Sequence, residues 1–162
     1  MALSALYPGT FDPVTNGHLD LIERACHIFD KVIIVVAINA RKKPWISSEH
    51  RLEMIKDLTK AWPQVEVLSC AGMIVDFAKQ NKIDVIIRGM RTSDDFNDEW
   101  SIANMNRTMA PQLETLFLPA SAENVGVSAT IVREIAILGG DITPFVPNQV
   151  LNRLNNWGYF KS

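Results

Sequence analysis

The chain has 162 residues, of which 48% are hydrophobic and 21% are charged, so we expect one domain with its own core over residues 1–162. The formal net charge of −2 gives no electrostatic reason to expect nucleic acid or an anionic membrane as a partner. No apolar run is long enough to cross a bilayer and no signal-peptide pattern opens the sequence, so the cytoplasm is the expected location.

Runs of β-branched and apolar residues alternate with amphipathic segments along the chain. Strands are predicted at residues 2–7, 32–38, 65–69, 85–87 and 115–118. Helices are predicted at residues 18–29, from 47 or 48 to before Pro63, and at 74–81, 94–109, 129–138 and 148–157. Several of the strands are continuously apolar, which is typical of strands buried on both faces. We therefore predict an α/β fold with a doubly wound parallel five-stranded sheet.

Right-handed crossovers place all the loops that follow the strands at one edge of such a sheet. These loops are residues 8–18, 39–46, 70–74, 88–95 and 119–130. Because α/β proteins bind their ligands at this edge, the candidate functional residues are sought there.

The first loop reads Gly9-Thr10-Phe11-Asp12-Pro13-Val14-Thr15-Asn16-Gly17-His18 and leads directly into a helix. The free N–H groups at a helix start attract phosphate. Thr10 and His18 can both donate hydrogen bonds to phosphate oxygens without a covalent step. The alternative is an ordinary turn in which His18 is only a helix-start residue, but the combination of residue types argues against it.

Cations follow the second and fourth strands. Arg41, Lys42 and Lys43 stand in a row, and such a run is either a solvated surface or a phosphate contact. Arg88 and Arg91 frame an R-G-x-R segment whose guanidinium groups suit phosphate oxygens. The alternative for these two arginines is an ion pair with Asp94, Asp95 or Glu99.

The last loop opens the fifth helix at Ser128, where hydroxyl groups and free N–H groups can form a second anion site. The alternative is that Ser128 is a helix N-cap and nothing more. In the preceding helix, Trp100, Met105 and Met109 fit a packing face.

On the run Tyr7–His18 and the R-G-x-R segment at 88–91, the chain resembles the bacterial phosphopantetheine adenylyltransferases of the nucleotidyltransferase superfamily. The resemblance implies a Rossmann-like nucleotidyltransferase fold. It also implies a reaction in which ATP and 4′-phosphopantetheine give dephospho-CoA and pyrophosphate, the penultimate step of coenzyme A synthesis.

The resemblance further implies which residues act. His18 would stabilise the transition state, with Thr10, Lys42 and Arg88 on the attacking phosphate and Ile74 on the pantetheine arm. The ATP site would contain Thr10, Phe11, His18, Gly89, Met90, Arg91, Glu99, Asn124, Val125, Gly126, Val127, Ser128, Ala129 and Thr130. The family has a row of three serines where this chain has Ser128-Ala129-Thr130, so one hydroxyl is missing here.

The family also sets expectations about cofactors and partners. Mg²⁺ would arrive on the ATP phosphates, with no dedicated protein ligands, as is its habit. The family forms homohexamers and is inhibited by coenzyme A. Two other functions remain open on the residues: a nucleotidyltransferase acting on nicotinamide mononucleotide or a polyol phosphate, and a non-catalytic nucleotide-binding module.

Overall fold

The computed structural model describes residues 3–38 and 43–160. Five parallel strands form one sheet in the order β3-β2-β1-β4-β5. The strands are β1 Ser4–Gly9, β2 Lys31–Ala37, β3 Val65–Cys70, β4 Val85–Met90 and β5 Glu114–Pro119. The predicted doubly wound parallel sheet is confirmed.

Six helices connect and flank the described strands. They are α1 Asn16–Ile28, α2 Ser48–Leu58, α3 Ile74–Gln80, α4 Ser93–Met109, α5 Ala129–Ile137 and α6 Asn148–Asn156. In the part of the chain that the structure describes, none of the helices is long and apolar enough to cross a membrane.

The core lies on both faces of the sheet because successive strand residues point to opposite sides. Ala5 and Tyr7 of β1 pack on the face covered by α1, α2, α5 and α6. Leu6, between them, packs on the other face with Val75 and Ala78 of α3. This division explains why the central strands are apolar throughout rather than alternating.

Helix α2 ends earlier than the sequence pattern predicts, at Leu58 rather than just before Pro63. The Thr59 hydroxyl donates a hydrogen bond to the Ile55 carbonyl at 2.8 Å. The chain then turns, and the Trp62 N–H donates to the Thr59 carbonyl at 2.9 Å. A side-chain hydrogen bond to the preceding turn thus competes with continuation of the helix.

Two strands extend further than predicted, and this changes the placement of site residues. Arg88, Gly89 and Met90 were expected in a loop, but they continue β4 and pair with Phe117, Leu118 and Pro119 of β5. Likewise, Pro8 and Gly9 continue β1 and pair with Val35 and Val36 of β2. The ladder to a neighbouring strand overrides the low strand propensity of proline and glycine.

The sheet separates between its two central strands toward the carboxyl edge. Among the described strands, β1 pairs with β4 only at Ala5–Val85 and Leu6–Ile86. In contrast, β1 stays paired with β2 up to Gly9, and β4 stays paired with β5 up to Met90. The chain reverses its direction of winding between β1 and β4, and the strands diverge there, so a crevice opens.

Helix α4 differs from the other helices in that none of its residues is buried. The expected packing face is wrong for this chain taken alone, since Trp100 is 52% exposed and Met105 is 66% exposed. Ion pairs of Glu99 with Arg88 and of Asp95 with Arg91 tie the helix to the end of β4. The helix is therefore tied to the sheet by these two ion pairs and by the contact of the Phe96 ring with the Phe117 ring of β5.

Candidate active site

A cleft of about 420 Å³ occupies the crevice between β1 and β4. It is lined by the loops that follow these strands and by the starts of three helices. Most of the residues predicted from the sequence line it, namely Thr10, His18, Ile74, Arg88, Gly89, Met90, Arg91, Glu99, Asn124, Val127, Ser128, Ala129 and Thr130. The structure thus brings together residues that are up to 120 positions apart in the sequence.

Three of the predicted residues that the structure describes do not line the cleft. Phe11 is fully buried, with its ring packed against the rings of Tyr7 and His18. Val125 and Gly126 lie in the turn before α5, outside the lining. Lys42 lies outside the described residues.

His18 is the third residue of α1 and completes a capping box with Thr15. Its Nδ1 accepts a hydrogen bond from the Thr15 backbone N–H at 2.9 Å. A nitrogen that accepts cannot carry the proton in the neutral ring, so the proton resides on Nε2. His18 therefore presents one N–H donor on the side of the ring away from Thr15.

Burial and, to a smaller extent, the positive charge of Arg91 together lower the pKa of His18 from 6.5 to about 4. The imidazole is thus neutral at physiological pH. A neutral ring with a fixed tautomer can donate a hydrogen bond without adding a charge to the site.

Arg88 lines the cleft and forms a two-pronged ion pair with Glu99 of α4. Its Nη2 donates to Glu99 Oε1 at 2.6 Å, and its Nε donates to Glu99 Oε2. This is the ion pair that was left open as the alternative for Arg88. Since the two carboxylate bonds occupy Nε and one side of Nη2, the Nη1 edge is the part of the guanidinium that can meet an anion.

Arg91 links α4 to the loop before α5. Its Nε and Nη2 donate to Asp95 at 3.1 and 3.3 Å. Its Nη1 donates to the Val127 carbonyl at 3.2 Å. The ion pair with an aspartate is again the alternative that the sequence left open, and here it positions the guanidinium beside the α5 start.

Helix α5 begins in the cleft with its N-terminal N–H groups directed there. Ser128 occupies the N-cap position, but its side chain makes no capping hydrogen bond. The Ser128 hydroxyl and the first N–H groups of the helix therefore remain available to a ligand, which is the usual arrangement of an anion site. The Asn124 side chain is fixed by donating to Ser121 Oγ at 2.8 Å.

Two polar residues that were not assigned from the sequence also line the cleft. Tyr7 is only 6% exposed, yet it reaches the floor of the cleft, and burial raises the pKa of its hydroxyl well above 10. Thr15 lines the cleft and holds the His18 ring. A threonine three residues before a helical histidine was a possible sequence signal for the capping box.

The arrangement supplies a neutral N–H donor, two guanidinium groups, hydroxyl groups and a helix start around one cavity. These groups bind and orient anions. Among the described residues, no group of three His, Cys, Asp or Glu side chains stands close enough together to hold a metal ion. The site is therefore suited to chemistry on a bound phosphate ester.

Comparisons with known proteins match both the sequence and the fold. The sequence profile of the cytidylyltransferase-like family matches residues 6–135. A Vibrio parahaemolyticus protein described as a nicotinate-nucleotide adenylyltransferase has a TM-score of 0.74 and 17% identity, with 100% of this chain and 98% of that chain covered. The nicotinic acid mononucleotide adenylyltransferase of Plasmodium falciparum, complexed with APC, has a TM-score of 0.71 and 14% identity, with 98% of each chain covered.

At these identities the two structures show a shared fold and nothing more. The profile match is the stronger finding, because it spans the β1–α1 loop, Arg88 of β4, Arg91 directly after β4 and the start of α5. The chain therefore belongs to the cytidylyltransferase-like family of the nucleotidyltransferase superfamily.

Proposed function

We propose that the protein transfers the adenylyl group of ATP to 4′-phosphopantetheine, giving dephospho-CoA and pyrophosphate. The observation that carries the proposal is that Thr10 and His18 line the same cleft as Arg88 and Arg91. The family membership supports nucleotidyl transfer, and the longer Tyr7–His18 pattern supports this particular acceptor. The cleft volume of about 420 Å³ lies within the range of small-molecule sites.

The proposed reaction needs no protein nucleophile and no general base. A terminal oxygen of the acceptor phosphate, ionised at neutral pH, attacks the α-phosphorus of ATP. The new P–O bond forms as the bond from the α-phosphorus to the bridging oxygen breaks, and pyrophosphate leaves. Catalysis then depends on aligning two anions and offsetting charge at the α-phosphate.

His18 is assigned to the α-phosphate oxygens through its Nε2–H, because Nδ1 is occupied by Thr15. Thr10 orients the attacking phosphate with its hydroxyl. Arg88 offsets the charge of that phosphate through the Nη1 edge that faces away from its bonds to Glu99. Lys42 completes this part of the proposal on the resemblance alone.

ATP is proposed to lie on the side of the cleft formed by β4 and α5. Arg91 and the α5 start, with the Ser128 hydroxyl, would hold its phosphates. Gly89 and Met90 offer strand backbone, and Phe11, Val125 and Gly126 would contribute through their main chain, since their side chains do not line the cleft.

Mg²⁺ would be held by the ATP phosphates in this site and would supply positive charge to the pyrophosphate group. Of the described residues that line the cleft, Glu99 alone carries a carboxylate, and that carboxylate is bonded to Arg88. Magnesium commonly binds through substrate phosphates and water, which suits a cleft with these residues.

A second acceptor class is favoured by one observation. Both structural neighbours are described as adenylyltransferases of nicotinate nucleotides. A pyridine mononucleotide also presents one terminal phosphate to the α-phosphorus, so the same donors would serve it. The two acceptors differ in the group attached to the phosphate. In 4′-phosphopantetheine it is a flexible amide arm, and in a pyridine mononucleotide it is a ribose that carries a pyridine ring.

The test is pyrophosphate release from the purified protein with ATP and Mg²⁺, with 4′-phosphopantetheine, nicotinate mononucleotide or a polyol phosphate as acceptor. Release that depends on 4′-phosphopantetheine, with dephospho-CoA as product, supports the proposal. Release with only another acceptor would replace the substrate and keep the reaction class. ATP binding without release under every acceptor would favour a non-catalytic binding module.

Regulation and assembly are proposed on the same resemblance. Coenzyme A carries the pantetheine arm of the acceptor, so it would compete for the same part of the cleft. A homohexamer is the proposed assembly, and the exposed apolar side chains of α4, among them Trp100 and Met105, offer a surface for a second copy. Light scattering of the protein and of Met105→Glu tests whether this face mediates association.

A further inference from the structure

We propose that Arg51 is a positioning residue of the active site, which acts through the carbonyl oxygen of Thr10. The proposal rests on the proposed function, because it concerns the residue that orients the attacking phosphate. Arg51 lies on α2 and does not line the cleft.

Arg51 occupies the buried stripe of α2 together with Met54 and Ile55. It is 3% exposed, and burial lowers its pKa, while the negative charge of Asp12 opposes that shift. A buried guanidinium still carries its charge and is costly unless it is fully hydrogen-bonded. An apolar residue of similar size would often fill such a position at no loss of stability.

The guanidinium donates to carbonyl oxygens from three separate segments. Nη1 donates to Thr10 at 2.6 Å and, more distantly, to Ala37 at 3.5 Å. Nε donates to Ile46 at 3.1 Å. Thr10 follows β1 and Ala37 ends β2, so one side chain ties together the carboxyl ends of two adjacent strands.

Asp12 closes these bonds into a ring. Its Oδ1 accepts from the Ile46 N–H at 2.8 Å, and its Oδ2 accepts from the Trp45 N–H at 2.9 Å. The Ile46 residue is therefore held at its N–H by Asp12 and at its carbonyl by Arg51. The hydrogen bonds and the chain thus form a closed ring through Thr10, Arg51, Ile46 and Asp12, which fixes both ends of the segment 10–12.

The segment needs such a restraint because of its backbone. Phe11 has a φ of 51°, a left-handed conformation that is unfavourable for a bulky residue. The Arg51 bond to the Thr10 carbonyl fixes the peptide plane that precedes Phe11. Without that bond the peptide is free to rotate, and the Thr10 side chain moves with it, while the ATP side of the cleft keeps its own contacts.

The experiment compares Arg51→Met, Arg51→Lys and Arg153→Met. Arg153 is the matched control because it binds Glu53 and Asp57 of the same helix α2 without contacting a site loop. We expect Arg51→Met to lower kcat by about 100-fold, as misplacement of a reacting group does, with little change in the KM for ATP. Arg51→Lys keeps one hydrogen-bond donor, so its kcat should lie between those of Arg51→Met and wild type. The control Arg153→Met should keep kcat near wild type.

A double-mutant cycle with Thr10→Val separates positioning from general stability. If Arg51 acts through Thr10, Arg51→Met in the Thr10→Val background lowers kcat by no more than about twofold. An undiminished loss in that background overturns the proposal, as does wild-type kcat in Arg51→Met.

Hydrogen exchange provides a readout that does not depend on the acceptor. Arg51→Lys is expected to raise amide exchange in residues 8–18, and Arg153→Met is expected to leave it unchanged. If wild-type protein shows no turnover with any acceptor, the proposed function fails, and this exchange measurement still decides about Arg51. Unchanged exchange in Arg51→Lys would refute the restraint itself.

Discussion

His18 performs two tasks through its two ring nitrogens, and substitution can separate them. Nδ1 accepts from the Thr15 N–H and caps α1, and Nε2 carries the proton that we assign to the α-phosphate. His18→Ala removes both functions. His18→Glu removes the donor to the cleft, but its carboxylate can accept from the Thr15 N–H, because Glu is a natural third residue of a capping box.

The structure sets the size of each effect. Loss of one preorganised donor to a transition state costs about 2.7–4 kcal/mol, a hundred- to thousandfold decrease in kcat. Loss of a helix cap costs about 1 kcal/mol of folding stability. For a chain of this length, that decrease corresponds to a Tm lower by roughly 2–4 °C. His18→Ala and His18→Glu should therefore both be inactive, while only His18→Ala loses stability.

The assay is steady-state pyrophosphate release together with thermal unfolding of each variant. Thr59→Ala is the stability control, because it removes a buried hydrogen bond to the Ile55 carbonyl far from the cleft and should keep full turnover. Near-wild-type kcat in a folded His18→Glu would refute the assignment of Nε2. Equal Tm values for His18→Ala and wild type would refute the capping role.

Three further predictions follow from the site. In the free protein, His18 should stay neutral in NMR titrations down to about pH 4, because burial and Arg91 lower its pKa. The unfolded chain then binds more protons than the folded one as the pH falls from 6.5 to about 4, so the free energy of unfolding decreases over that window. His18→Gln should remove this part of the decrease in urea titrations, and titration of His18 near 6.5 would contradict the reasoning. Arg88→Lys loses the two-pronged guanidinium contact and should raise the KM for the acceptor about tenfold, more than it raises the KM for ATP. An equal rise in the two KM values would show that Arg88 does not hold the acceptor. Gly89→Ala places a Cβ against Leu21 Cδ1, so the Leu21 side chain must shift, and stability should fall by about 1 kcal/mol in chemical denaturation. Leu21→Ala should lessen that effect, and additive losses would contradict the contact.

The order and type of the secondary-structure elements could be predicted from the sequence. Continuous apolar runs such as Val32–Val36 are a strong signal, because only a strand buried on both faces tolerates them. The convergence of distant loops followed from the handedness of crossovers alone. Thr10, Arg88 and Ser128 were therefore assigned to one edge correctly, and all three line one cleft.

The ends of the strands were harder to predict. There the low strand propensity of a residue can be overridden by its hydrogen bonds to the neighbouring strand. Pro8 and Gly9 are poor strand residues, yet β2 holds them in register.

The exposure of α4 was not predicted, for a different reason. Its apolar side chains, such as Trp100, give the pattern of a packing face whether the partner is the same chain or another one.

The protonation state of His18 and the buried position of Arg51 depend on three-dimensional contacts that no local pattern contains. A signal for Arg51 did exist in the helical spacing, since it falls three and four residues before Met54 and Ile55 on the buried stripe. A charged residue on such a stripe indicates a buried polar contact, but the identity of the contact comes only from the fold.

The charges of the site are balanced in a way that suits catalysis more than tight binding. Arg88 and Arg91 are each paired with a carboxylate of α4, so the ground-state phosphates meet guanidinium groups that are already partly neutralised. His18 adds a donor but no charge, because its pKa is lowered to about 4. Binding the substrate and the transition state equally tightly would not raise kcat. A hydrogen-bond donor raises kcat when its bond strengthens as charge develops on the α-phosphate.

A lysine at position 18 would also bind the ground-state phosphates, and it would lose the cap at Thr15. We therefore expect His18→Lys to lower both the KM for ATP and kcat. A variant with both a lower KM and an unchanged kcat would show that the neutrality of His18 has no catalytic value.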